Sequence, residues 1–258
     1  MQILQLNKFS ELHDGKKIIF CKTDYLLREF EYIRSLKNEV VLISGNSDYP
    51  INDTISKNLP KNVKLWYSQN VLTYHEKITP IPLGIENRIE SKRIGHGVGY
   101  YDRVKIKEEL LSRNLDISPF KKIYSNFNIH TNFSHRNIIK QVSLMSPHID
   151  WEEPNQNLEN FFDKILEYEI TLCPAGNGVD THRIWEVLYS NRIPMTIKMG
   201  NFKIYDLYEK LPIIILDSVS ELENYDLIKQ KYEVAQTKKE NLFLSDFEYW
   251  KNEILKSL

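Results

Sequence analysis

Cysteine is scarce in this chain of 258 residues, and its scarcity excludes the small secreted domains that disulfides hold together. The two cysteines, Cys21 and Cys173, each lie in or beside an apolar run. Free thiols in such runs are usually buried and reduced. We therefore predict a cytoplasmic protein.

Long hydrophobic runs and an excess of charge of one sign are missing as well. Apolar runs such as Ile213–Leu216 are far shorter than the roughly 20 residues that cross a membrane. The first residues carry no basic segment followed by an apolar core, so no signal peptide is predicted. The net charge of −1 gives no broad basic field, so we predict no nucleic acid partner.

Metal-binding and nucleophile motifs are also absent from the sequence. The seven histidines are scattered without a His-x-x-x-His spacing, and there is no Cys-x-x-Cys pair. No Asp-x-Asp follows an apolar strand, and Gly-x-Ser-x-Gly does not occur. We therefore predict no metal site, no bound cofactor and no serine nucleophile.

The sequence does contain a regular alternation of short apolar runs and polar helical stretches, which is typical of parallel sheets covered by helices. In the first half, the predicted elements are strands at Lys17–Cys21, Glu39–Ser44 and Val63–Tyr67, a helix at Tyr25–Leu36, and an edge strand or extended loop at Thr79–Leu83, which contains two prolines. In the second half, they are strands at Lys122–Tyr124, Glu167–Cys173, Ile193–Ile197 and Ile213–Leu216, helices at His135–Met145 and Arg183–Tyr189, and a loop at Asn128–Ser134.

This alternation divides the chain into two α/β halves. We predict a first domain over residues 1–100, a linker over 101–118 with a helix at Lys105–Arg113, and a second domain over 119–223. By analogy with two-domain enzymes of this form, a helical extension over 224–258 is expected to pack back on the first domain. Residues 88–103, with three glycines and mixed charge, are predicted to form a surface loop. Parallel sheets bind ligands at the carboxyl ends of their strands, so the crevice between the halves is the expected site.

Residues 171–194 are the most informative stretch. An apolar run ends in Pro-Ala-Gly-Asn-Gly, and a helix then opens with Asp-Thr-His-Arg. Glycines let backbone amides approach a ligand, and the positive end of a helix favours an anion. Arg183 and Glu186 lie three residues apart and share a helix face, which places a cation for phosphate beside a carboxylate for sugar hydroxyls. In the alternative interpretation, Asn177-Gly178 is only a turn, Asp180 or Thr181 only a helix cap, and the charged pair only a surface contact.

The order of residues from Cys173 to Tyr189, followed by Ile193-Pro194, resembles the donor-site signature of exostosin-like glycosyltransferases. The resemblance extends to Ile123–Phe127 with Thr131, Asn132 and Arg136, which are similar to the strand and loop that open the donor domain of that family. It implies two facing Rossmann-like domains, the GT-B arrangement, with the nucleotide sugar on residues 120–200 and the acceptor on the first domain. The family more often has arginine where Ala175 stands, so one phosphate contact is missing or supplied elsewhere.

We predict that the donor is bound by Asn128, Thr131, Asn132, Arg136, Pro174, Gly176, Asn177, Gly178, Asp180, Thr181, His182, Arg183 and Glu186. Glu186 would accept hydrogen bonds from the ribose hydroxyls. Arg183 and Arg136 would neutralise the diphosphate, with backbone amides of residues 177–179 as further donors. Arg136 is alternatively a surface residue, and Thr131 and Asn132 fit a helix cap equally well. Because Asp-x-Asp holds the metal–diphosphate in the other main glycosyltransferase fold, its absence favours a reaction without a metal.

An inverting transfer also needs a general base that takes the proton of the acceptor hydroxyl. Asp48, Glu86 and Asp24 each follow a predicted strand of the first half. We place Asp48 first because its loop is small and polar and follows a strongly apolar strand. Each of the three fits a cap or a turn as well, and His75 and His182 are further candidates.

The sequence thus predicts transfer of a hexosyl or similar group from a UDP- or GDP-sugar to a hydroxyl of a glycan or lipid-linked glycan, in surface polysaccharide biosynthesis. Association with a membrane is expected only through the acceptor. Two alternatives stay open. One is a non-catalytic module that binds a nucleotide sugar or a glycan, and the other is an α/β enzyme acting on a phosphorylated ligand, such as a phosphatase or an epimerase.

Overall fold

The computed structural model describes residues 3–5, 8–86, 107–109, 111, 123–154 and 157–258, and these form two parallel sheets with helices. The first sheet lies in the N-terminal part of the chain. Its strands follow chain order: β1 (Ile18–Lys22), β2 (Val40–Gly45), β3 (Val63–Ser68) and β4 (Ile78–Pro80). All of β2 is buried, which explains its continuous apolar run. Helix α1 (Leu26–Ser35) buries Leu26, Phe30 and Ile33 on one face, and the short helix α2 is Asp53–Ser56.

The second sheet has five parallel strands and a reversal of strand order. The strands are β5 (Ile123–Ser125), β6 (Ile149–Trp151), β7 (Ile170–Leu172), β8 (Ile193–Ile197) and β9 (Ile214–Leu216), in the spatial order β6-β5-β7-β8-β9. The helices between them are α3 (Phe133–Met145), α4 (Leu158–Glu167), α5 (His182–Tyr189) and α6 (Ile204–Tyr208). Where the order reverses, between β5 and β7, the loops that follow the strands diverge and leave a crevice. Ser125 pairs with Leu172, so these two loops start side by side.

One apolar core runs without interruption from the first sheet into the second. It contains Ile43 and Tyr67 from the first sheet, and Trp185 and Tyr208 from α5 and α6 of the second domain. Six consecutive residues of α5, 184–189, are buried. Helix α5 is therefore an interior helix at the junction of the two domains, and residues near its start are held by both.

The C-terminal segment covers both domains in turn. Helix α7 (Tyr225–Thr237) buries Ile228 and Ala235 in the core of the second domain. A 3₁₀ helix at Lys239–Ser245 then leads to helix α8 (Phe247–Lys256). The ring of Phe247 in α8 lies 5.4 Å from the ring of Phe9, between centroids, and Trp250 and Ile254 join the shared core. Helix α8 thus packs against the first domain.

Several predicted boundaries were wrong. The strand predicted at Glu167–Cys173 starts only at Ile170, because α4 continues to Glu167. The predicted loop Asn128–Ser134 contains a 3₁₀ helix, Ile129–Asn132, that leads directly into α3. The predicted surface loop 88–103 and most of the linker 101–118 lie outside the described residues, of which 107–109 and 111 are helical. Within the described part of the chain, no helix is both long and apolar enough to cross a bilayer.

Candidate donor site at the domain junction

A cavity of about 330 Å³ opens where the strand order of the second sheet reverses. Its lining comes from both domains and from the segment between them: Glu86, Lys107, Asn126, Phe127, Asn128, Arg136, Pro154, Asn157, Phe161, Thr181, His182, Arg183 and Glu186. Among these lining residues, three side chains are permanent cations and two are carboxylates. The cavity therefore carries an excess of positive charge, which suits an anionic ligand.

Arg183 is the lining cation best placed to meet a ligand. Its Nη1 donates to the carbonyl oxygen of Asn126 at 2.6 Å, and its Nε donates to Glu186 Oε2 at 3.2 Å. The guanidinium also lies 3.9 Å above the centroid of the Phe161 ring, which fixes its plane. Among the described residues, Nη2 has no hydrogen-bond partner, so its two N–H groups remain for an anion.

Lys107 joins carboxylates from the two domains. Its Nζ lies 2.5 Å from Glu186 Oε1 and 2.5 Å from each oxygen of Glu86, and its side chain is only 5% exposed. Burial by itself would lower the pKa of Lys107, but the carboxylates of Glu186 and Glu86 raise it overall, so the ammonium stays charged. No motif marks this lysine in the sequence. The only signal was its place in a predicted helix.

Glu86, one of the predicted bases, lies at the cavity but is held in this ion pair. Burial would raise the pKa of Glu86, whereas Lys107 and, to a smaller extent, His182 lower it, and the net shift is downward. A carboxylate with a lowered pKa is a weak proton acceptor at neutral pH. The structure therefore gives Glu86 the role of ion-pair partner.

Arg136 lines the cavity, but its hydrogen bonds are directed to the protein. Its Nε and Nη2 donate to the carbonyl oxygens of Ala175 and Pro174 at 2.9 and 2.8 Å, and its Nη1 donates to Asn128 O at 2.8 Å and Thr131 Oγ1 at 2.6 Å. Burial, and then the nearby Arg183, lower its pKa to about 10, so it is charged at neutral pH. Arg136 thus ties the loop after β5 to the loop after β7 and brings a buried positive charge to the cavity.

Asp180 is one of the residues predicted to bind the nucleotide sugar, but its side chain is buried at the junction of the two domains. Its Oδ1 accepts from Trp185 Nε1 at 2.8 Å and from the hydroxyl of Tyr208 at 2.7 Å, and its Oδ2 accepts from Leu83 N at 2.9 Å. Its own N–H donates to Asn70 Oδ1 at 2.9 Å. Burial raises the pKa of Asp180 to about 6, although these hydrogen bonds act to lower it. Asp180 thus connects the second domain to the first.

Other residues of the glycine-containing loop also contact the first domain. Asn177 Nδ2 donates to Asp48 Oδ2 at 3.2 Å across the crevice. A Cβ on Gly178 would lie 2.8 Å from Asn70 Oδ1, so only glycine fits that approach without a shift. Within the second domain, Asn132 Nδ2 donates to the carbonyl oxygen of Gly176 at 3.1 Å.

The predicted site residues fall into two groups. Those that line the cavity are Glu86, Asn128, Arg136, Thr181, His182, Arg183 and Glu186. Those that do not line it are Asp24, Asp48, Thr131, Asn132, Pro174, Gly176, Asn177, Gly178 and Asp180.

The two thiols are buried and protonated. Burial raises the pKa of both Cys21 and Cys173 to about 12, so neither is a thiolate at neutral pH. No group of three or more His, Cys, Asp or Glu side chains in the described ranges is arranged to hold a metal ion.

Comparisons with known proteins define the class of fold. No known family profile matches the chain. The chain is similar to an E. coli trehalose-6-phosphate protein bound with UDP-2-fluoro glucose (TM-score 0.51, 10% identity, 97% of this chain and 75% of that one). It is also similar to OtsA in its apo form (TM-score 0.53, 9% identity, 97% and 74%). The chain therefore has the GT-B fold, two parallel-sheet α/β domains facing each other, and this confirms the predicted fold class.

One human protein shares sequence with part of the chain. Ribitol-5-phosphate xylosyltransferase 1 of Homo sapiens is 26% identical over 117 residues, which are 40% of this chain and 26% of the human protein. The match thus spans about a quarter of that protein. Together, the comparisons show the fold and do not single out the exostosin-like family.

Proposed function

We propose that the chain is a glycosyltransferase that binds the diphosphate of a nucleotide sugar in the cavity and transfers the sugar to a hydroxyl group. One observation carries this proposal. At the point where the strand order of a GT-B donor sheet reverses, a clamped Arg183 keeps unused N–H groups beside an ion-paired Glu186. Such a pair provides donors for a phosphate and acceptors for sugar hydroxyls within one helical turn.

The geometry suggests how each group acts. The unused N–H groups of Arg183 would bind the diphosphate, and the buried charge of Arg136 would add to the attraction. Lys107 and Arg183 hold the Glu186 carboxylate in place, and its remaining lone pairs would accept hydrogen bonds from the ribose. As the bond from the sugar to the diphosphate breaks, negative charge grows on the β-phosphate. Cations fixed there in advance stabilise the transition state by a few kcal/mol each, about 3 in typical cases.

The proposal also names the two substrates. We propose a UDP- or GDP-sugar as donor and a hydroxyl of a glycan or lipid-linked glycan as acceptor, in surface polysaccharide biosynthesis, with any membrane contact made through the acceptor. The transferred group is a hexosyl or similar residue. The name of the human relative supports testing a xylosyl donor as well. We also propose a cytoplasmic, exostosin-like enzyme that acts without a metal, and its two buried free thiols support a reducing compartment.

Donor binding tests the proposal directly. In a thermal-shift screen with UDP, GDP, CDP and the common sugar derivatives of these nucleotides, at least one compound should raise the Tm. Arg183→Ala and Glu186→Gln should abolish that shift and donor turnover while the variants stay folded, and the exposed Lys256→Ala serves as a matched control. Turnover should be unchanged by EDTA. The absence of a shift with every nucleotide would overturn the proposal, and binding without turnover would indicate a non-catalytic module.

A further inference from the structure

We propose that His182 is the general base that takes the proton of the acceptor hydroxyl, a role that rests on the proposed transferase function. His182 is the first residue of α5, lines the cavity and precedes Arg183. Its Nδ1 lies 2.7 Å from the carbonyl oxygen of Gly84 in the first domain. A carbonyl oxygen only accepts hydrogen bonds, so Nδ1 must be the protonated nitrogen. In the neutral imidazole, the lone pair is then on Nε2.

Nε2 is the ring nitrogen left for a ligand. Within the described part of the chain, it has no hydrogen-bond partner, and the ring belongs to the cavity wall. A base needs a free lone pair in the site, and a second group that fixes its tautomer and orientation. In His182, the carbonyl of Gly84 supplies the second requirement.

The backbone at Gly84 is itself fixed. Its φ is +72°, and a Cβ at this position would lie 2.1 Å from the carbonyl oxygen of Leu4. The next residue, Ile85, donates its N–H to that same oxygen at 2.9 Å. The carbonyl that holds His182 is therefore part of a tightly packed turn, so the imidazole is oriented before any ligand binds.

The other candidate bases are less suited to the role. Asp24 and Asp48 do not line the cavity, and neither does His75, whose Nδ1 accepts from Lys77 N at 3.1 Å and so has the opposite tautomer. Glu86 is paired with Lys107. His182 precedes Arg183 in the chain and contacts Gly84 of the first domain, the domain to which the family resemblance assigns the acceptor.

In the proposed reaction, proton transfer to His182 accompanies transfer of the sugar. The acceptor oxygen forms a bond to the anomeric carbon as the bond from that carbon to the diphosphate oxygen breaks, with inversion. The acceptor proton moves to Nε2, and the bonding electron pair leaves with the nucleoside diphosphate. The imidazolium then returns its proton to solvent. The charged groups around the ring are the carboxylates of Glu86 and Asp180, which act on it electrostatically, and Lys107, Arg183 and Glu186 on the cavity wall.

The key variant is His182→Asn, because the asparagine amide nitrogen can take the place of Nδ1 and donate to Gly84 while the base is lost. The assay is hydrolysis of UDP-xylose and UDP-glucose, with water as the acceptor and released UDP as the readout. We expect the wild-type rate to rise with pH, because a general base acts only in its unprotonated form. His182→Asn should lose about 100-fold or more of the rate, together with this pH dependence, and keep the thermal shift with UDP.

Two controls separate a base from a structural histidine. His13→Asn changes an exposed histidine outside the cavity and should leave the rate unchanged. His182→Ala should recover part of its rate when imidazole is added, which a purely structural role does not allow. Wild-type rates and pH dependence in His182→Asn would overturn the proposal, as would loss of the UDP shift. If the wild-type chain shows no thermal shift with any nucleotide, the proposed function fails first and the base role fails with it. If it binds UDP but hydrolyses neither UDP-sugar, the base role is overturned while nucleotide binding stands.

Discussion

At the residue scale, the candidate site depends on a lysine that no sequence motif marks. Lys107 lies between the carboxyl groups of Glu86 and Glu186, which belong to the two domains, and all three side chains are mostly buried. Buried charges are tolerated only while each has its partners, because an unpaired ion in the interior loses its hydration without compensation. Lys107 therefore makes the position of Glu186 depend on Glu86.

The first prediction concerns the loss of this charge. Lys107→Met removes the cation that lies between Glu86 and Glu186, so the free energy of unfolding should fall by roughly 3–5 kcal/mol in chemical denaturation. Adding Glu86→Gln should restore part of that loss because one buried charge is then removed. The exposed ion pair of Lys256 with Glu253 provides the control, and Lys256→Met should leave the free energy of unfolding almost unchanged. Equal effects of the two lysine variants would contradict the prediction.

A second prediction separates the two arginines of the cavity. Arg136 is 9% exposed and bonds three carbonyl oxygens, which one lysine ammonium cannot reach in the same geometry. Arg136→Lys should therefore lower both the Tm and the affinity for UDP. The Arg183 side chain is 26% exposed and keeps Nη2 unused, so Arg183→Lys should lower UDP affinity by about tenfold with little change in Tm. Titration calorimetry and thermal unfolding measure the two effects, and the same pattern in both variants would be evidence against the distinction.

At the scale of elements, the loop between β7 and α5 has a different role from the one its glycines suggest. Glycine-containing loops before a helix are typical anion sites. Here the loop faces the first domain, where Asn177, Gly178 and Asp180 contact Asp48 and Asn70. Thr181, at the end of the loop, lines the cavity together with His182, Arg183 and Glu186 of α5.

The third prediction compares two glycines with similar backbone angles. Gly84 and Gly15 have φ values of +72° and +68°, but a Cβ on Gly84 would meet the backbone of Leu4 at 2.1 Å, whereas the nearest atom to one on Gly15 is 3.8 Å away. Gly15→Ala should cost about 1 kcal/mol, from the strained φ alone. Gly84→Ala should cost more than about 3 kcal/mol, because backbone atoms must move. Denaturant unfolding of both variants checks this, and similar losses would show that the turn at Gly84 adapts.

At the scale of the whole molecule, the two sheets share one core and one set of buried hydrogen bonds. The hydroxyl of Tyr189 accepts from Leu4 N at 3.1 Å and donates to the carbonyl oxygen of Ser245 at 2.8 Å. This one side chain of α5 thus contacts both the N-terminal segment and the segment that leads into α8. The junction is consequently part of the folded core, and we expect the domains to unfold together.

The fourth prediction is a pH dependence of this junction. The pKa of Asp180 is raised to about 6 in the folded chain, whereas an unfolded aspartate titrates near about 3.9. Between these values, the folded state holds a proton that the unfolded state has released, so this residue lowers stability as the pH rises from about 4 to about 6. The lowered pKa of Glu86 acts in the opposite direction, since its contribution is lost as the pH falls below its unfolded value.

The comparison with Asp180→Asn isolates the effect, because Glu86 titrates in both proteins. The free energy of unfolding of the wild type minus that of Asp180→Asn should fall by about 2 kcal/mol between pH 4 and pH 7. A difference that stays constant with pH would contradict the raised pKa.

The sequence by itself determined the fold class and most of the strands. The predicted strand Ile193–Ile197 has the same limits in the structure, and the strand predicted at Glu39–Ser44 differs by one residue at each end. Strands buried on both faces need continuous apolar residues, so the local pattern reports them directly. The three-residue β6 and the short helix α6 carry too few residues for a period to show, and they were not predicted.

Only the tertiary structure decided which of the predicted residues line the cavity and which ones join the two domains. The residue types in the 171–194 stretch predict an anion site, but spacing along the chain does not show which side chains face a cavity and which face another domain. Packing of the first domain against the loop directs Asp180 and Asn177 into the junction, brings Lys107 to Glu186, and fixes His182 on Gly84. Each of these contacts joins residues far apart in sequence, so the folded arrangement of both domains was needed to reveal it.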